Sequence, residues 1–346
     1  MGAFVSTPCK EDADRRKSVG PRRFNLTMGR VPAMSCSIIT RVSSAQVAKC
    51  LHKLCEQEFG GDLAAMLKLS AVELADLCDT SDVQQVESIY RRILAEMDSV
   101  QLVRRGTMKE RMAGRGERRV LKTRVAEFDE KTPWGGLEYG RSYGLAGEYG
   151  TGKSLFAMQA AAYAAAEGDA VMYIYTEGRV EETNFPKIIA RAARDVGVGE
   201  DDVAARIEAV EVANTTALKD VVMSIQTSVR VVVVDSIIAP LRAEFLGREN
   251  LQARQQTLNY IISLLNRHAM VNGALVIVTN QVMDVPDLFA GKRPTGGNIF
   301  AHGINRIFMM VRPSKQKLEG YMWPLDVPGM SPDVRIQYRI ADDGLY

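Results

Sequence analysis

Hydrophobic and polar positions change rhythm along this chain. Across residues 38–97 apolar side chains recur at helical spacing and no alternating stretch appears, which predicts a small all-helical domain. Ser70 with Glu73, and Ser81 with Gln84, each fit a capping box just ahead of a helical run. Beyond Trp134 continuous apolar runs appear at 170–175, 231–234 and 274–278, separated by helical stretches at 155–167 and 251–271. Short apolar runs without polar alternation suit strands buried on both faces of a parallel sheet. The stretches between them have the length that crossover helices need. The pattern predicts an α/β core, a mostly parallel sheet flanked by helices.

Charge divides the remainder. Residues 1–35 carry Lys10, Arg15, Arg16, Lys17, Arg22, Arg23 and Arg30 with few apolar residues. They read as a basic arm without fixed structure, or equally as sequence ahead of a true start at Met28 or Met34. A second basic run holds Arg104, Arg105, Lys109, Arg111, Arg115, Arg118, Arg119, Lys122 and Arg124, with Gly106, Gly114 and Gly116 among them. The glycines predict a flexible connection. The expected organisation is a basic arm at 1–37, a helical domain at 38–98, a basic linker at 99–130 and the α/β core at 131–346.

Composition narrows the classes further. With 46% hydrophobic and 25% charged residues in 346, the chain is an ordinary globular sequence long enough for about two domains. A net charge of +2 is too small to name a partner. No apolar run reaches the roughly 18 residues of a membrane span, and no secretion signal opens the chain, so a membrane or secreted location is not expected. The five cysteines, Cys9, Cys36, Cys50, Cys55 and Cys78, form no CxxC pair. Cys50, His52 and Cys55 could bind a metal, but Cys50 and Cys55 point to different faces of a helix. Reduced thiols, and with them a reducing compartment, are the expectation.

The chemistry concentrates at Gly147-Glu148-Tyr149-Gly150-Thr151-Gly152-Lys153-Ser154, a full match to G-x-x-x-x-G-K-[ST]. It follows a strand-like segment at 142–146 and opens an apolar helix, the context the motif requires. Glycines let backbone N–H groups turn onto phosphates, and the helix N-terminus adds its positive dipole. Lys153 is then placed for the β- and γ-phosphates of ATP, and the Ser154 hydroxyl for Mg²⁺. Asp235 ends the 231–234 run, where a carboxylate helps hold the metal. Glu177 follows the first strand-like run after the phosphate-loop helix, at 170–175, and could polarise an attacking water. Gln281 ends the third, where an amide could sense the γ-phosphate. Each alone could be a strand-end surface residue; together, at the carboxyl ends of parallel strands, they make a coherent site.

These residues resemble the RadA/RecA-type DNA recombinases, most closely the archaeal and eukaryotic branch. The resemblance spans about 134–344 and rests on GEYGTGKS (147–154), VVVVDS (231–236), RAEFLGRENLQARQQTLN (242–259), VTNQVM (278–283) and PTGGNIFAH (294–302). It implies an ATPase that forms ATP-dependent helical filaments on single-stranded DNA and exchanges strands with double-stranded DNA, in the cytoplasm or nucleus according to cell type. By position it makes Glu177 the catalytic glutamate and Gln281 the γ-phosphate sensor. Arg242, Phe245, Arg248 and Arg254 fall on the first DNA-binding loop. The second covers 284–300 with Gly296 and Gly297, and His302 links it to the nucleotide. Asp326 and Pro328 begin the cap that a neighbouring subunit lays over ATP. Arginines beside an aromatic ring are also the ingredients of single-strand binding, although a solvated helix start would look the same. Beside such a core the basic linker could touch phosphates.

The pattern departs from the family in places. Tyr175 stands where relatives carry Asp, Arg179-Val180-Glu181-Glu182-Thr183-Asn184 replaces a TFRPER-like stretch, and Arg105-Gly106-Thr107-Met108 lacks the phenylalanine that tethers neighbours. The 38–98 segment has few of the glycines found in the relatives' helical hairpins, and the cap carries an extra residue between Pro328 and Pro332. The altered 179–184 stretch and the missing phenylalanine favour the alternative of a regulatory paralogue that binds ATP and loads or remodels recombinases without exchanging strands; the intact DNA-loop residues count against it. A P-loop small-molecule kinase would want an arginine-rich lid, where this sequence has a Gly-Gly loop.

Overall fold

The computed structural model describes residues 36–346 apart from 44, 97–106, 114–117, 248, 285–291 and 315. The expected basic arm therefore lies almost wholly outside the described residues. The strands are β1 (Val120–Leu121), β2 (Leu137–Glu138), β3 (Ser142–Gly147), β4 (Val171–Tyr175), β5 (Ile207–Glu211), β6 (Val231–Asp235), β7 (Leu275–Asp284), β8 (Lys292–Pro294), β9 (Arg306–Val311), β10 (Glu319–Asp326), β11 (Ile336–Ala341) and β12 (Gly344–Leu345). The main sheet has the order β12-β11-β10-β9-β3-β7-β6-β4-β5, with β8 on the end of β7. From β9 through β5 every pairing is parallel, and the edge from β9 to β12 is antiparallel. The fold is thus the expected α/β architecture, and all three apolar runs are inner strands of the sheet.

Why those runs carry no polar residues is visible in β6. Val231 and Val233 join the core on one face of the sheet, Val232 and Val234 the core on the other, as a period of two demands. The first core is covered by the helices Lys153–Ala166 and Phe185–Val196. Seven alanines in Lys153–Ala166 are fully or almost fully buried, so this helix lies close against the strands.

The second core is covered by Thr215–Ser224 and Leu251–Asn272 and extends without a break into the N-terminal helices. Those helices dock through polar contacts as well. Asp62 accepts from the Thr227 amide (2.8 Å) and hydroxyl (2.6 Å). The Lys68 ammonium, buried, donates to the Ile225 carbonyl (2.6 Å) and meets His268 Nδ1 (2.8 Å). Arg267 grips Glu73 at 2.9 Å and 3.1 Å. Burial alone would raise the Glu73 carboxyl, but Arg267 and Ser70 bring it down to about 2.

Four expectations are corrected. The Ser70–Glu73 capping box forms, but at the next helix Asp82, not Ser81, accepts from the Gln85 amide (2.9 Å). The four described cysteines are paired rather than free thiols: Cys36 pairs with Cys55 and Cys50 with Cys78, at Cα separations of 6.1 Å and 5.9 Å, ordinary for disulfides; Cys9 lies outside the described residues. Cys50 and Cys55 do leave the helix Gln46–Glu58 on different sides, and each meets a different partner segment there. The inference of a reducing compartment loses its basis. The core also begins before residue 131: β1 pairs with β2, and Leu121, Val125 and Phe128 are fully buried. Finally, three cations of the expected linker are engaged by acids of the core: Arg118 by Glu138, Arg119 by Asp169 (2.6 Å) and Arg124 by Glu167 (4.0 Å). Among the described residues no helix is long and apolar enough to cross a membrane.

Candidate nucleotide and nucleic-acid site

At the carboxyl end of the central strands, β3 passes into the phosphate loop. Gly152 adopts φ +92°, a left-handed turn that an L side chain resists, and caps the helix that starts at Lys153. Behind the loop, the Tyr338 hydroxyl donates to the Thr151 carbonyl (2.6 Å) and the Thr151 hydroxyl to the Glu148 carbonyl (2.9 Å). The Thr151 and Glu148 carbonyls are thereby engaged, and the loop runs into a helix N-terminus at Lys153, a place suited to anions.

One cavity of about 650 Å³ is lined by Gly147, Glu148, Tyr149, Gly150, Gly152, Lys153, Ser154, Glu177, Asp235 and Gln281. Thr151 of the motif is buried beneath it. The sheet register explains this convergence of distant residues: Gly147 stands level with Gln281 on β7, and Tyr175 level with Asp235. The Lys153 ammonium donates to the Glu148 carbonyl (2.7 Å). Burial lowers its pKa, against the opposing pull of Asp235 and Glu177.

Asp235 is oriented by two donors, Tyr173 (2.9 Å) and Thr279. Burial, then the neighbouring Asp235, drives the Tyr173 phenol well above its ordinary range, so it stays a donor. Asp235 and Ser154 line the same cavity, and a carboxylate with a hydroxyl could offer the hard oxygen ligands that Mg²⁺ takes. Among the described residues Glu177 receives long contacts, from Gln281 Nε2 (3.3 Å) and Ser236 Oγ (3.5 Å). The strand ends that carry Glu177 and Ser236 are clasped by Thr176, whose hydroxyl donates to the Ser236 carbonyl (3.0 Å) and accepts from its amide (3.0 Å).

The nucleic-acid candidates lie around the same end. Arg242, in the last turn of Ala239–Glu244, donates to Gln281 Oε1. Through the Gln281 amide it is thus joined to Glu177. Phe245 is half-buried against the core rather than presented on the surface, while Leu246 beside it is 67% exposed. Arg254 sits in the first turn of Leu251–Asn272, and Arg248 lies outside the described residues. Gly296, at φ +95°, caps the helix Gly297–Gly303; a Cβ there would meet Leu258 at 2.6 Å. His302 is exposed on that helix and does not line the cavity. The Asp326 backbone is level with Ile307, at the opposite end of the sheet from Gly147, which is level with Met310. Pro328 borders a separate cavity there with Trp134 and Arg306.

Sequence reading missed Tyr173, Thr176 and Ser236, the supports of the carboxylates, and two cations of the cavity wall, Lys292 and Arg312. Lys292 had a signal in its place just before Pro294-Thr295-Gly296-Gly297.

The Rad51 family model matches residues 108–346. The DNA repair and recombination protein RadA of Aeropyrum pernix is 35% identical over 49% of this chain and 56% of its own length. The RadA of Ignicoccus hospitalis is 31% identical over 61% of this chain and 68% of its own. That of Metallosphaera sedula is 36% identical over 61% and 67%. The chain thus spans little more than half the length of the first of these relatives, and about two thirds of the others.

Proposed function

The chain belongs to the Rad51 family, and from that premise we propose that it is a DNA-dependent ATPase of DNA repair and recombination. In this reading it binds ATP with Mg²⁺, coats single-stranded DNA as a filament of its own copies, and pairs that strand with homologous double-stranded DNA. The observation that carries the reading is the chain of contacts Arg242–Gln281–Glu177. It joins an expected DNA loop to the expected catalytic carboxylate within the cavity of the phosphate loop.

Lys153 and the loop amides hold the phosphates, and Ser154 with Asp235 would hold Mg²⁺, which supplies charge neutralisation at the phosphates. Glu177, with weak contacts of its own, is poised to take a proton from water. Gln281, bonded to both Arg242 and Glu177, is placed to relay DNA occupancy to the carboxylate. The position of Asp326 and Pro328 at the other end of the sheet supports a cap laid on a neighbour's nucleotide, since one copy cannot bring both ends together. Phosphate release with and without single-stranded DNA tests the reading: stimulation by DNA is expected, and equal rates would refute it.

One observation favours the regulatory paralogue. In the altered stretch after Glu177, the Arg179 guanidinium turns onto Glu182 (3.2 Å), its own neighbour in a short turn. A paralogue of this kind would bind ATP and fail to pair homologous strands.

A further inference from the structure

Lys292 opens β8, and its ammonium pairs with the carboxylate of Glu148, the second residue of the phosphate loop. The same lysine lines the cavity that contains Lys153, Glu177 and Gln281. Resting on the nucleotide reading above, we propose that Lys292 is a second phosphate-binding cation of this site, for which Glu148 and the terminal phosphate of a nucleoside triphosphate compete.

Its placement is built into the fold. β8 pairs with the end of β7 in the register Asp284 to Lys292 and Val282 to Pro294. Next to this ladder the Thr295 amide donates to the Gln281 carbonyl (2.9 Å), and the Asn280 side chain donates to the Thr295 carbonyl (2.7 Å). The strand that bears Gln281 therefore holds Lys292 over the phosphate loop.

Charge gives the competition its direction. Glu148 contributes to two cations at once: its carbonyl accepts from Lys153, and its carboxylate pairs with Lys292. Both members of the pair are about half exposed, 48% and 49%, and such an ion pair holds weakly. A terminal phosphate offers more charge and more acceptor oxygens than a carboxylate. Lys292 passes to it readily, and β8 moves with its lysine. A diphosphate lacks that group and leaves Lys292 on Glu148. Lys292 thus distinguishes triphosphate from diphosphate, and it does so from the strand that closes the expected second DNA loop.

The test measures the affinities of a non-hydrolysable ATP analogue and of ADP, each with Mg²⁺, for the unaltered protein, Lys292→Ala and Glu148→Gln. Lys292→Ala is expected to lower the preference for triphosphate about tenfold, the worth of one charge-assisted hydrogen bond at a half-exposed site, with ADP affinity unchanged. Glu148→Gln, which removes the competitor, is expected to raise that preference. A thermal melt of each variant checks that it folds. A preference in Lys292→Ala equal to that of the unaltered protein, or a loss that falls equally on ADP, overturns the proposal while the nucleotide reading stands. Failure of the unaltered protein to bind either nucleotide overturns both.

Discussion

Replacing Glu177 with glutamine separates catalysis from binding at this site. Among the described residues the carboxylate accepts from Gln281 at 3.3 Å and Ser236 at 3.5 Å, both long for hydrogen bonds to a charged acceptor. A glutamine retains one oxygen for them, so the fold and the orientation of Gln281 are expected to persist. Nucleotide affinity should change by less than about threefold, because phosphate binding rests on Lys153 and the loop amides. What the amide cannot do is take a proton. Loss of a positioned general base slows turnover by about 10²–10⁴-fold, a rise of about 3–5 kcal/mol in the barrier. Phosphate release under saturating ATP and DNA measures the rate, and equilibrium binding of a fluorescent nucleotide measures the affinity. Hydrolysis at the normal rate would move the role to another residue and leave Glu177 as a surface carboxylate; an equal loss in binding and turnover would make it a structural one.

Three further outcomes are expected. Lys153→Ala should abolish most ATP binding, and Lys153→Arg should keep binding but lose turnover, since a planar fork cannot replace a compact ammonium; titration with labelled ATP checks both, and normal affinity in the alanine variant contradicts the phosphate-loop assignment. Affinity for single-stranded DNA should fall steeply with salt and depend little on sequence, with Arg254→Ala reducing both affinity and salt slope; strong preference for one short sequence would contradict the loop reading. Burial lowers the Lys68 ammonium from 10.5 to about 7, against the pull of Asp62, so between those values the unfolded chain holds a proton that the folded one lacks. Stability should therefore rise as pH increases from about 7 toward 10.5, by up to about 1.4 kcal/mol per pH unit, and fall again as pH returns to 7; denaturant melts of the protein against Lys68→Met read the slope, and parallel pH profiles for the two would refute the assignment.

Sequence reading went furthest where the determinants are local. The phosphate loop is eight consecutive residues with a strand before and a helix after, and strands β4, β6 and β7 announce themselves as unbroken apolar runs. Glu177, Asp235 and Gln281 were found because strand ends are legible even when the sheet is not, and the register then brings them together. What stayed hidden depends on long-range partners. Lys68 meets His268 two hundred positions away, so nothing near either residue signals that the helical segment is fastened to the core. The cations of the expected linker looked solvated because their acids, Glu138 and Asp169, lie 20 and 50 residues further on. The disulfides were missed for a similar reason: spacing within one helix argued against a shared metal at Cys50 and Cys55 but did not point to Cys78 or Cys36 as partners. Phe245 carried the right chemistry for base stacking, yet the packing of the short helix before it turns the ring toward the core.

In the proposed function nucleotide and assembly form one linked equilibrium, because Asp326 and Pro328 of a second copy would cap the nucleotide. Binding energy available only in the stacked state must favour stacking. Light scattering of the purified protein with single-stranded DNA and Mg²⁺ tests this most directly. With ATP the scattering mass should grow into long filaments that shorten on exchange for ADP, and Asp326→Ala should shorten them even with ATP. A monomer or dimer whose mass is indifferent to ATP would contradict the account and leave the regulatory paralogue in its place.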